Sequence, residues 1–78
     1  MKKKRDLSKL IGRIIEKFGS RKAFADACGF SENTISKKLS GKMAITINDI
    51  DNWCSEELLD ITAYEIPEYF FAFKVQAD

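Results

Sequence analysis

The sequence predicts an all-α domain, and three observations predict it. Apolar residues recur at helical spacing through the first part of the chain. A serine, threonine or aspartate stands ahead of each helical stretch, and glycines follow the first three. Only one proline, Pro67, falls anywhere in the 78 residues. A chain of this length makes one small domain near the lower limit for a self-sufficient core.

The elements follow in order. Residues 1–5, MKKKR, have no apolar partner and read as a basic flexible tail. The first helix is DLSKLIGRIIEKFG, in which Leu7, Leu10, Ile11, Ile14, Ile15 and Phe18 form one continuous stripe. Asp6 is its expected N-cap and Gly19 its stop; Gly12 lies outside the stripe and weakens the helix slightly. The second helix is SRKAFADACG, capped by Ser20. Phe24 and Cys28 share a face, and the small Ala25 and Ala27 beside them let another helix come close. Gly29 ends this helix in the left-handed conformation, and Phe30 turns inward. Ser31 caps a third helix running to about Leu39, which Ser40, Gly41 and Lys42 terminate.

A fourth helix starts near Thr46, where Thr46 and Asp49 have capping-box spacing. Its inner face holds Ile50, Trp53, Cys54 and Leu58, and SEELLD either continues it or begins anew. Thr62 and Glu65 repeat the capping signal for a short helix that Pro67 disturbs. In the final EYFFAFKVQAD, Tyr69, Phe71, Phe73 and Val75 alternate as in a strand, whereas Phe70 suits a helix entering the core. Both readings stand. The expected organisation is a tail at 1–5, a helical domain at 6–70 and a C-terminal extension at 71–78.

Composition excludes several classes. With no histidine and only Cys28 and Cys54, the chain lacks the ligands of a four-coordinate zinc site and the commonest acid–base group near pH 7. No phosphate loop and no carboxylate pair set against a nucleophile is present, so no catalytic residue, metal or cofactor is expected. Nor is a leader peptide, a membrane span or a small-molecule ligand; two free thiols suit a reducing cytoplasm. Cys28 reads as a small buried apolar residue rather than a sensor.

The charge is divided. Residues 1–42 hold 12 Lys/Arg and 4 Asp/Glu, a balance of +8; residues 43–78 hold 1 and 8, a balance of −7. The first part suits a polyanion and the second would avoid one.

The stretch CGFSENTISKKLSGK shows where that polyanion would lie. Ala25, Gly29, Phe30 and Ile35 have the spacing of a helix-turn-helix: a small residue at the crossing, a glycine in the turn, apolar anchors on either side. With Ile35 inward and roughly 100° per residue, Leu39 falls on the same side and Asn33, Lys37 and Ser40 on the opposite one, with Ser36 beside them. This face offers an amide, a cation and hydroxyls. Asn can pair with adenine, Lys with guanine and Ser with either, while Glu32 can accept from cytosine. The expected base contacts are therefore Glu32, Asn33, Ser36 and Lys37. The expected phosphate contacts are Arg21, Lys22, Thr34, Lys38, Ser40 and Lys42.

SRKAFADACGFSENTISKKLSGK resembles the helix-turn-helix of the lambda-repressor-like group, the repressors and Cro proteins of temperate bacteriophages. From KLIGRIIEKFG to EIPEYFFAFKV the chain is similar to small Cro-like regulators of phages from Gram-positive bacteria. The resemblance implies a five-helix domain that binds operator half-sites as a dimer. It carries base reading to Glu32, Asn33, Ser36 and Lys37, and phosphate contact to Arg21, Ser40 and Lys42. The family commonly has Gln where this chain has Arg21, which leaves a phosphate role without an amide bridge. Many members are apolar where this chain has Lys38, which implies a different tilt of the third helix.

A homodimer is expected because one small domain reads few base pairs. The candidate interface residues are Trp53, Tyr69, Phe71 and Phe73. A competing reading keeps the fold but docks on a repressor or polymerase, using the acidic second part and its aromatics. An antitoxin would need a longer tail than QAD.

Overall fold

The computed structural model describes residues 2–76. The chain runs β1 (Lys2–Arg5), α1 (Ser8–Phe18), α2 (Arg21–Cys28), α3 (Glu32–Ser40), α4 (Ile47–Trp53), a 3-10 turn (Ala63–Glu65), α5 (Ile66–Phe70) and β2 (Phe73–Gln76). Five helices thus form the body of the fold, as the sequence predicts. Among the described residues, no helix is long and apolar enough to cross a membrane.

Local signals explain most boundaries. The Ser20 and Ser31 hydroxyls accept the backbone N–H groups of Ala23 and Thr34, each at 3.1 Å. Thr46 and Asp49 complete a reciprocal capping box at the start of α4. Gly29 follows α2 at φ +81°, a conformation that a side chain would strain. The Phe30 N–H then reaches back to the Ala25 carbonyl at 2.9 Å, closing the helix end and starting the turn.

Four boundary expectations need correction. Helix α1 starts at Ser8 with Leu7 in the N-cap position, because Leu7 is drawn into the core. Asp6 still serves this end, accepting the Ser8 N–H at 3.0 Å and hydroxyl at 2.6 Å from one residue further out. SEELLD neither extends α4 nor forms a helix; it is a run of turns folded back on Trp53 and Cys54 by backbone bonds from Leu59 and Ile61. Pro67 does not disturb α5. It occupies the first turn, where a missing N–H costs nothing. Finally, Lys2–Arg5 is not a free tail: it pairs antiparallel with Phe73–Gln76, Arg5 opposite Phe73. The strand reading of the C-terminus holds from Phe73, and Phe70 closes α5 in the core.

The core is built on Trp53, which has no solvent exposure. The Phe24 ring meets it edge-on at 5.3 Å, Phe18 meets Phe24 at 5.3 Å, and Phe70 lies 6.3 Å from the indole. Leu10 and Ile14 of α1, Ile35 of α3 and Leu59 fill the remainder. Arg13 holds the 54–61 turns to α1 by donating to the Leu59 carbonyl at 2.9 Å and that of Asp60 at 3.2 Å.

Candidate functional site

The candidate site is the outer face of α3 and the turn after it. Three residues, Gly29, Phe30 and Ser31, join α2 to α3. Ala25 is fully buried, and its methyl side chain allows the two helices to pack closely. The inward arc of α3 comprises Ile35, Lys38 and Leu39. Everything opposite stays in solvent: Glu32, Asn33, Lys37 and Ser40 are exposed, and Ser36 is half-buried. The predicted base-reading residues are therefore brought together on one accessible surface. Lys37 makes no ion pair with any described residue, so its charge is uncommitted.

The predicted phosphate contacts divide. Lys42 is exposed in the turn beyond α3, and Ser40 is exposed with its hydroxyl donating to the Lys37 carbonyl at 3.1 Å. Thr34 is half-buried, and its hydroxyl shares a 3.0 Å hydrogen bond with Ser31. Arg21 is half-buried at the start of α2; Lys22 is exposed and lies 3.6 Å from Asp26.

Lys38 is the exception and the correction. It is only 7% exposed, and its ammonium donates to the Asp49 carboxylate at 2.7 Å and to the Ala44 carbonyl at 3.0 Å. The cation also lies 5.4 Å from the centre of the Phe30 ring. These bonds turn Lys38 away from the outer face, so it is not placed to meet phosphate. Asp49 was missed as its partner. The signal was present in the sequence: Lys38 is three residues after Ile35, on the inward side. Burial tends to raise the Asp49 pKa, but hydrogen bonds from Lys38 and the Thr46 backbone outweigh it and hold the carboxyl below its ordinary value.

The predicted interface residues divide as well. Trp53 and Tyr69 are core residues, at 0% and 6% exposure, because one small core has use for both rings. Phe71 and Phe73 remain 47% and 53% exposed. The Arg5 guanidinium lies near both rings, 5.7 and 5.8 Å from their centres. A groove of about 470 Å³ has Arg5, Leu7, Leu39, Met43, Ile45 and Phe73 among its lining residues.

The thiols are poor nucleophiles. Burial, with a smaller effect from Asp49, pushes Cys28 up to about 11, and burial raises Cys54 as well. Both are free and half-buried.

No curated protein matches the chain. A family model described as "Protein of unknown function (DUF739)" matches residues 4–73, which takes in the end of β1, all five helices and the first residue of β2. The chain belongs to that family.

Proposed function

We propose that this protein is a sequence-specific DNA-binding transcriptional regulator, a Cro-like phage repressor that acts in the bacterial cytoplasm. In this reading α2 and α3 are the helix-turn-helix, and α3 enters the major groove of an operator half-site. Glu32, Asn33, Ser36 and Lys37 read base edges, while Arg21, Lys22, Thr34, Ser40 and Lys42 meet phosphates. The observation that carries it is the outer face of α3, where an amide, a cation and hydroxyls share one accessible surface and no apolar residue intervenes. The protein binds as a homodimer, and of the four candidate interface residues Phe71 and Phe73 are the exposed ones.

A second reading makes the protein a modulator that docks on a repressor or polymerase. Ile47 and Tyr64, at 77% and 95% exposure, favour it, since both lie in the acidic part of the chain.

The test is binding of the purified protein to DNA from its own upstream region and to random DNA of equal length, at two salt concentrations. A sequence reader keeps a specific complex at the higher salt and loses it in Asn33→Ala/Lys37→Ala. Weak binding, equal on both DNAs and abolished by salt, favours the docking reading.

A further inference from the structure

We infer that Lys38 is a positioning residue: through Asp49 it sets the angle at which α3 presents Asn33, Ser36 and Lys37. Its significance for DNA rests on the function proposed above; its effect on α3 does not.

The inward side of α3 has two kinds of contact. Ile35 and Leu39 are buried against the core. Such contacts are non-directional, so they fix the angle of a helix less sharply than hydrogen bonds do. Lys38 lies roughly 60° around the helix from Ile35, and its contacts are directional. A roll that moved its ammonium from the Asp49 carboxylate would leave two charges buried without partners, which is strongly unfavourable. The ion pair therefore limits the roll that the apolar contacts tolerate.

The acceptor side is itself fixed. Asp49 Oδ2 also takes the Thr46 N–H at 2.9 Å, and the Asp49 N–H donates to the Thr46 hydroxyl at 3.0 Å, so the carboxylate is anchored at the first turn of α4. The second bond from Lys38 goes to Ala44, within the turn that also carries Lys42. One buried cation thus joins α3, the following turn and α4. Pairing with base edges tolerates errors of only about 0.5 Å or 10–20°. The Lys38 pair adds a directional restraint to the apolar contacts of Ile35 and Leu39.

The test compares wild type with Lys38→Met/Asp49→Asn. This pair removes both charges yet leaves an amide oxygen to accept the Thr46 N–H and cap α4. Residual dipolar couplings of the free protein report the orientation of α3 relative to α1. The expected result is a reorientation of more than about 10°, the scale at which a site loses its geometry, with α1, α2 and α5 unmoved. If the double variant does not fold, Lys38→Gln/Asp49→Asn, which keeps neutral donors, is measured instead, and a measurable reorientation of α3 relative to α1 is expected there. An unchanged orientation in the folded variant overturns the inference.

On DNA, the preference for the upstream sequence over random DNA falls about tenfold, the cost of one degraded base contact. The dependence of binding on salt stays as in wild type, because no phosphate contact is lost. A salt slope reduced by about 0.9 would mean that Lys38 itself neutralises a phosphate, and would also overturn the inference. If wild type shows no preference, the DNA reading fails, while the couplings still decide whether Lys38 positions α3.

Discussion

The ammonium of Lys38 lies 2.7 Å from the carboxylate of Asp49, and both residues are more than nine-tenths withdrawn from solvent. A pair in this setting differs from the exposed pairs of the surface, Lys22 with Asp26 and Lys9 with Glu68. Exposed pairs contribute little to stability. Removing one partner of a buried pair strands the other. Lys38→Met is therefore expected to cost about 3 kcal/mol of unfolding free energy, read from urea denaturation at neutral pH. A loss below about 0.5 kcal/mol would place the pair with the surface ones.

The same pair predicts an acid dependence. Its hydrogen bonds hold the folded Asp49 carboxyl below its unfolded value, despite burial. The folded state therefore binds this proton less readily than the unfolded state. The resulting stabilisation is complete above about pH 4, the ordinary aspartate range, and is lost as pH falls through the lower folded value. Asp49→Asn should be less stable than wild type at pH 7, and that difference should shrink steadily at lower pH. Denaturant unfolding of both proteins across this range checks it; a difference that grows on acidification would reverse the sign.

The aromatic residues separate core from surface. Trp53→Ala removes a fully buried indole in contact with Phe24 and should cost about 3–5 kcal/mol, enough to unfold much of a domain this small. Phe71→Ser/Phe73→Ser removes half-exposed rings and their contacts with Arg5, each worth about 0.5–1 kcal/mol at such sites. The second variant should stay folded by circular dichroism, and, with the proposed dimer formed through these rings, sediment more slowly than wild type at the same concentration. If it sediments as wild type does, these rings do not form the interface.

Where a structural feature depends on neighbours three or four residues away, the sequence carried it. Ser20 and Ser31 cap the helices that follow them, Thr46 and Asp49 form their box, and Gly29 and Gly41 take positive φ at helix ends. The same periodicity set Ile35 and Leu39 inward and left Asn33 and Lys37 outside. The candidate site was legible for this reason: an exposed helix face is defined by the helix itself.

Features that needed a distant partner were not legible. The spacing of Lys38 from Ile35 points it inward, but nothing local names Asp49, eleven residues on, as the partner that holds its charge there. The basic N-terminus reads as a tail until Phe73–Gln76 returns to pair with it across the length of the chain. Trp53 and Tyr69 could each have faced solvent, and the packing of Phe24 and Phe70 against the indole decided for Trp53. The sequence by itself determined the five helices, the caps of α2, α3 and α4 and the polar face of α3, because hydrogen bonds and periodicity are local. Only the tertiary structure decided which charges and aromatics that frame would bury, because burial is a property of what the rest of the chain places around a side chain.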